Sequence, residues 1–312
     1  MPTNQAPNEA SPDTRYRGRF APTPSGPLHL GSLLTALAGW LCARRARGLW
    51  HLRIDDLDQA RCASQSVEQI LHQLEAHGLT WDGPIRYQHD HLPEYQAALQ
   101  TLIDQQQVYA CQCSRAQLAR RLCCGADAAH YDGHCRNLGL PFSDHALRAR
   151  LRRQAITYVD GWQGVQPSGD IRALGDFVLK RRDGVFSYQL SCAVDEIALG
   201  ITEVVRGADL MDSTLAQLWV LDALAAPRPA YRHLPVLTDP GSGQKLSKQN
   251  HAVPLDCNLA GENLWRCLFY LRQSPPAQLR HAPVQTILQW AVHAWQPQKV
   301  PGVPDQAVEP SL

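Results

Sequence analysis

The sequence has no run of about 18 apolar residues, so no helix in it is expected to cross a membrane. It lacks an apolar core near its start. Met1 to Asp13 is polar and proline-bearing, which excludes a secretion signal of the usual kind and points to a disordered tail over residues 1–14. Neither sign of charge is in excess. With 30 Lys and Arg against 29 Asp and Glu, the formal net charge is +1, so a basic coat over the whole surface is excluded and any RNA contact must come from local patches. No internal repeat is present. What remains is an ordinary globular composition, 44% apolar and 19% charged over 312 residues, enough for one or two domains. The expectation is a cytoplasmic, monomeric protein without membrane contact.

The ten cysteines are unevenly placed. In a reducing compartment they do not form structural disulfides. Cys42, Cys62, Cys192, Cys257 and Cys267 are scattered and read as small buried apolar residues. Cys111, Cys113, Cys123, Cys124 and Cys135 fall in one short stretch with metal-ligand character. By chemistry alone, Cys111 and Cys113 pin one side of a site, and Cys123, Cys124, His130, His134 and Cys135 compete for the rest.

Periodicity predicts alternating strands and helices: a strand at Arg17–Ala21, and a helix from Leu30 stopped by Gly48. A strand at Leu49–Ile54 follows, then a helix capped by Ser64 and another from about Pro93 to Gln107. That order predicts an α/β fold with a Rossmann-like parallel sheet, its first half at 15–110. The periodicity breaks over 111–172, read as an inserted subdomain. Its arginines, Arg115, Arg120, Arg121, Arg136, Arg148, Arg150, Arg152 and Arg153, read as a positive surface that suits a phosphate backbone. The second half of the catalytic domain spans 173–235. It carries a strand at Asp176–Arg181, a helix beginning near Phe186–Leu190, a strand at Ile201–Val205 and a helix at Ser213–Leu224. Residues 236–312 hold a lysine loop and a short helical region.

The loop Phe20-Ala21-Pro22-Thr23-Pro-Ser-Gly-Pro-Leu-His29-Leu-Gly31-Ser32 runs from a strand into a helix N-terminus, where unpaired amides and the helix dipole favour a phosphate. His29 can donate to a phosphate oxygen, and Gly31 lets a ribose or adenine lie against the backbone. Downstream, Lys245-Leu-Ser247-Lys248 suits a loop that closes on a triphosphate and offsets charge on a pyrophosphate leaving group.

Together these segments resemble the two hallmark motifs, HIGH and KMSKS, of class I aminoacyl-tRNA synthetases. Arg19 before Phe-Ala-Pro is similar to the glutamyl subgroup. So are Arg53-Ile-Asp55-Asp-Leu-Asp58, Tyr188-Gln-Leu and Val205-Arg206-Gly-Ala-Asp-Leu210, and the resemblance covers about residues 17–252. It implies activation of L-glutamate by ATP with Mg²⁺, with no side-chain nucleophile. His29, Lys245 and Lys248 are implied in catalysis. Pro22, His29, Gly31, Ser32, Lys245, Ser247 and Lys248 are implied in ATP binding. For glutamate the implied contacts are Arg19, Phe20, Ala21, Pro22, Thr23, Asp55, Tyr188 and Arg206. Asp55 stands where the subgroup usually has glutamate, so a bridging water would serve its contact with the ammonium. Of the two cations, Arg19 is the first choice for the substrate side chain and Arg206 the second.

Cys111-Gln-Cys113 with Tyr131-Asp-Gly-His-Cys135-Arg136 resembles the glutamyl-Q tRNA(Asp) synthetases, shortened relatives in the subgroup. The resemblance implies one structural zinc on Cys111, Cys113, Tyr131 and Cys135. It also implies transfer of glutamate to queuosine in the anticodon stem-loop of tRNA(Asp). The residues after Lys248 are too few for the helical anticodon-binding domain of a full glutamyl-tRNA synthetase, which agrees. Two other expectations are a shortened glutamyl-tRNA synthetase charging a 3′ end, and a zinc-dependent RNA-binding module without catalysis.

Overall fold

The computed structural model describes residues 15–308 apart from 64, 115, 119–130, 167–168, 242, 244 and 246–252. In chain order, β1 (Arg17–Phe20), α1 (Leu30–Arg45), β2 (Leu49–Ile54), α2 (Ser66–Ala76), β3 (Arg86–Tyr87), α3 (Leu92–Asp104) and β4 (Val108–Cys111) come first. Then follow β5 (Ala146–Ala149), β6 (Ala155–Ile156), β7 (Val159–Asp160), β8 (Gly164–Val165), β9 (Gly169–Asp170) and β10 (Val178–Lys180). The last part comprises α4 (Tyr188–Ala198), β11 (Glu203–Gly207), α5 (Met211–Ala223), β12 (Ala230–Leu234), β13 (Val236–Thr238), α6 (Ala260–Tyr270), α7 (Val284–Ala294) and β14 (Asp305–Ala307).

The expected parallel sheet is present. β1 pairs with β2, β2 with β3, and β11 with β12, all parallel. β11 lies along the other edge of β1: the Thr202 amide donates to the Arg17 carbonyl (2.9 Å), and Arg19 reaches the Val205 carbonyl. The strand order is therefore β3-β2-β1-β11-β12, a doubly wound sheet. Its topological switch point falls between β1 and β11, where such folds open their ligand crevice.

α1 carries the main core. Leu33, Leu34, Leu37 and Leu41 are buried with Trp50 and Leu52 of β2 on one side and Leu264, Leu268, Ile287 and Leu288 of α6 and α7 on the other. The two C-terminal helices thus belong to the same core as the first βαβ unit. A second core joins α3, α4 and α5 to the antiparallel sheet β10-β5-β4.

Several boundaries move. α1 ends at Arg45, and Arg47 takes the left-handed turn (φ 51°), so Gly48 is not the conformational stop. Gly48 is needed for contact: a Cβ there would lie 2.4 Å from the Tyr16 carbonyl oxygen. Ser64 lies outside the described residues. α3 stops about a turn early, with Gln106 left-handed at φ 58°. β12 had no sequence signal, and Pro235 divides it from β13. Residues 159–165 form an edge hairpin on the parallel sheet, because Asp160 pairs with Tyr231 of β12. No described helix is long and apolar enough to cross a membrane.

Candidate active site

The crevice at the switch point has a volume of about 400 Å³. Its walls bring together Arg19, Phe20, Ala21, Pro22 and Thr23 from the end of β1, His29, Gly31 and Ser32 from the start of α1, Tyr188 from α4, Arg206 from β11, and Lys245. Residues more than two hundred positions apart in the chain meet because β1 and β11 are neighbours and both end at the same edge. Ser247 and Lys248 lie outside the described residues.

One end of the crevice is built for an anion by the backbone. His29 is the N-cap of α1, and its Nδ1 accepts from the Ser32 amide at 3.4 Å. That bond requires an unprotonated Nδ1, so the neutral ring carries its proton on Nε2 as a donor. The first turn of α1 has no acidic residue to occupy its amides. Across the crevice, Lys245 Nζ lies 2.5 Å from Asp209 Oδ2, which holds the start of the lysine loop against the site.

The other end holds two buried arginines in different settings. Arg19 Nε donates to Glu196 Oε1 at 2.9 Å, and its Nη1 to the Val205 carbonyl at 3.1 Å. Arg53, beneath it, donates to both oxygens of Asp55 (2.6 and 3.1 Å) and lies 3.3 Å from Glu196 and 3.4 Å from Asp195. The charges of Arg19 and Arg53 are thus met by carboxylates. The Glu196 carboxyl is held below its ordinary range: burial opposes ionisation, and the attraction of Arg19 and Arg53 outweighs it.

Arg206 is held differently. Its Nε donates to His233 Nε2 (3.0 Å), its Nη1 to Gln217 Oε1 (2.7 Å) and toward the Tyr188 hydroxyl (3.4 Å), and its Nη2 to Thr214 Oγ1 (2.8 Å). None of these acceptors is an anion. Burial raises the Tyr188 phenol, so it stays protonated.

Asp55 does not line the crevice. Its carboxylate is turned to Arg53, while its amide donates to the Pro22 carbonyl at 3.1 Å, one residue from the wall. Glu196, His233, Gln217 and Thr214 are site residues that sequence reading missed. Glu196 had a signal, since Tyr188, Cys192 and Glu196 recur every four residues along one face of α4. His233 and Gln217 had none beyond polarity in buried elements.

Away from the crevice, the sulfurs of Cys111, Cys113 and Cys135 lie within 4.8 Å of one another. The Tyr131 hydroxyl is 3.4 Å from Cys111 Sγ and 3.8 Å from Cys113 Sγ, and it accepts from the Cys135 amide at 2.9 Å. His134 is exposed and outside this group, and Cys123, Cys124 and His130 lie outside the described residues. Of the scattered cysteines, Cys42, Cys192 and Cys267 are buried, while Cys62 and Cys257 are half-buried.

The arginine surface read from the insertion needs correction. Arg136 is paired with the buried carboxylate of Asp176 (2.5 Å), and Arg148 is buried with its guanidinium 3.9 Å from the Tyr131 ring centroid. Arg150 lies over Tyr109 and donates to the Arg136 carbonyl. These three hold the subdomain together, because long side chains beside buried acceptors and ring faces are drawn inward. Arg152 and Arg153 are exposed, and Arg115, Arg120 and Arg121 lie outside the described residues.

Comparison with known proteins agrees with this geometry. Residues 15–263 match the family of tRNA synthetases class I (E and Q), catalytic domain. The chain is 44% identical over 280 residues to a glutamyl-Q tRNA(Asp) synthetase of Idiomarina loihiensis, covering 90% of this chain and 96% of the relative. It is 45% identical over 288 residues to one of Acinetobacter baylyi, covering 92% and 95%. The fold is that of a glutamate-tRNA synthetase crystal structure from Elizabethkingia anophelis, with TM-score 0.80, 21% identity and coverage of 95% of this chain and 68% of that one.

Proposed function

From the chain's membership of the class I tRNA synthetase family, among the glutamyl-Q tRNA(Asp) synthetases, and hence its place as a ligase of that type, we propose that it joins L-glutamate to AMP and passes the glutamyl group to queuosine at the wobble position of tRNA(Asp). The observation that carries this reading is Arg206. It is a buried guanidinium in the crevice wall whose hydrogen-bond acceptors among the described residues are all uncharged, facing a space that ends at a helix N-terminus.

ATP lies along the start of α1, with Pro22, Gly31 and Ser32 against the nucleotide and His29 Nε2–H toward a phosphate oxygen. Lys245, with Ser247 and Lys248 of the same sequence motif, would offset charge on the leaving pyrophosphate, and Mg²⁺ would accompany the triphosphate. Glutamate extends over Phe20, Ala21, Pro22 and Thr23. Its side-chain carboxylate meets Arg206 and the remaining donor of Arg19, beside the Tyr188 hydroxyl; Asp55, its carboxylate turned to Arg53, is not assigned to the ammonium. An oxygen of the α-carboxylate attacks the α-phosphorus, the bond to the bridging oxygen breaks, and pyrophosphate leaves. No general base is needed, because the nucleophile is already ionised and the work is positioning and charge stabilisation.

Zinc fits the second cluster on Cys111, Cys113, Tyr131 and Cys135. A tetrahedral ion with Zn–S about 2.3 Å and Zn–O about 2.0 Å sets ligand atoms roughly 3.5–3.8 Å apart. The Cys113–Cys135 sulfurs are 3.5 Å apart, and the Cys111 sulfur is 3.4 Å from the Tyr131 oxygen. Four protein ligands make the ion structural. None of them lines the crevice, which is in keeping with a role for the subdomain, 111–172, toward the tRNA rather than in activation.

Pyrophosphate exchange into ATP tests the activation step. Exchange that depends on glutamate, with glutamine and aspartate far weaker, is the expected result. A zinc-bound chain with no exchange would instead be an RNA-binding module.

A further inference from the structure

Every hydrogen-bonding partner of Arg206 among the described residues is a neutral acceptor, and one is itself held by a carboxylate. His233 Nδ1 lies 2.6 Å from Asp160 Oδ2, and both residues are buried. With the proton on Nδ1, the imidazole presents an unprotonated Nε2 to Arg206 Nε at 3.0 Å. Asp160 is fixed in turn: its Oδ1 accepts from the amides of Trp162, Gln163 and His233. Burial pushes the His233 imidazole below its ordinary value, against the pull of Asp160, so the ring is neutral. Gln217 completes the set from α5, its Oε1 on Arg206 and its buried Nε2 without a partner. Glu196, a carboxylate that feels the charge of Arg206 without bonding to it, is committed to Arg19 and Arg53.

We infer that Asp160, His233 and Gln217 are positioning and specificity residues: they hold Arg206 through uncharged acceptors, leaving its positive charge unmatched until an acidic side chain binds. A buried cation is costly unless paired, so the unmatched guanidinium favours an anionic side chain over its neutral amide. A carboxylate in direct contact would hold Arg206 as firmly but would occupy that charge. Placing the carboxylate one residue back, behind a neutral imidazole, gives orientation without neutralisation. The inference rests on the proposed glutamate activation and names how the same site selects its substrate.

The test is glutamate-dependent pyrophosphate exchange on the full chain, with KM for glutamate and for ATP measured separately and thermal unfolding followed alongside. Exchange by the unaltered protein establishes the underlying activity independently, so its absence refutes that reading and not this one alone. Gln217→Glu is nearly isosteric and brings a carboxylate to Arg206. We expect it to unfold no earlier than the parent, to raise KM for glutamate at least about tenfold, and to leave KM for ATP within about twofold. Asp160→Asn lets the imidazole flip its proton to face Arg206 and should raise the same KM. His233→Gln keeps a donor and an acceptor and should stay within about threefold of the parent, where His233→Leu does not. Unchanged KM for glutamate in folded Gln217→Glu, or equal losses for His233→Gln and His233→Leu, would overturn the inference. Should Asp160→Asn or His233→Leu fail to fold, Gln217→Glu still decides.

Discussion

His29 does two things with two nitrogens. Nδ1 caps α1, and Nε2–H is the group the proposed function directs to a phosphate oxygen. The two roles separate by substitution. His29→Asn retains a capping oxygen and should stay within about 0.5 kcal/mol of the parent in stability, whereas His29→Ala should lose about 0.5–2 kcal/mol. Both should lose exchange activity by about ten- to a hundredfold, read as kcat in the exchange assay. The buried histidines also set an acid limit. His77 and His233 each accept a hydrogen bond at Nε2 while their Nδ1 faces an acceptor, and burial lowers both below the ordinary value. Below an unfolded value of about 6.5 the unfolded chain binds protons that the native chain refuses, so stability is full above that pH and declines as pH falls through it. Asp160, lowered in the fold because the hydrogen bonds it accepts outweigh its burial, adds a second decline below about pH 4. His89, raised by its hydrogen bond to Asp56, has the opposite sign, but it is 52% exposed and screened. Calorimetry from pH 8 to 5 should find the unfolding midpoint falling from about pH 6.5 downward.

At the scale of elements, the loop and helix at the start of the site were legible because each step leaves a local mark: prolines fix the loop, and leucines recur with helical spacing. The strand at Leu49–Ile54 matched residue for residue. What stayed hidden depends on neighbours distant in sequence. β12 pairs with β11 on one side and β7 on the other, and its polar Arg232 and His233 are satisfied only there, by Glu203 and Asp160. Arg136, Arg148 and Arg150 of the insertion were misread for the same reason, since nothing local announces Asp176 as the acceptor for Arg136. Gly48 was picked out for the wrong property, a turn instead of a close approach to Tyr16. Gly48→Ala must displace backbone at the α1–β2 junction and should cost about 1–3 kcal/mol in denaturant unfolding. Gly83→Ala has open space around its Cβ and a left-handed φ of 76°, so its cost should be confined to backbone strain of about 1 kcal/mol.

At the scale of the whole molecule, the crevice and the thiol cluster sit in different places. The crevice belongs to the parallel sheet and α1, and the thiol cluster belongs to the antiparallel sheet β10-β5-β4 and the segment around Tyr131. Cys135→Ser should abolish binding of one zinc per chain, measured by metal analysis. Glutamate-dependent exchange should persist while transfer to tRNA falls. The thiol pattern placed Cys111 and Cys113 in this cluster and left its remaining members open until the family resemblance named Tyr131 and Cys135, whereas the pairing of Arg19 with Glu196 and the neutral setting of Arg206 emerged only once β11 and α4 were seen beside β1. The measurement that bears most directly on the central claim uses labelled glutamate, ATP and tRNA(Asp) trimmed at its 3′ end, with and without queuosine. Label stably carried by the trimmed queuosine tRNA, and none on the tRNA lacking queuosine, is the predicted result. Equal labelling of the two tRNAs, or transfer that vanishes when the 3′ end is removed, would contradict it.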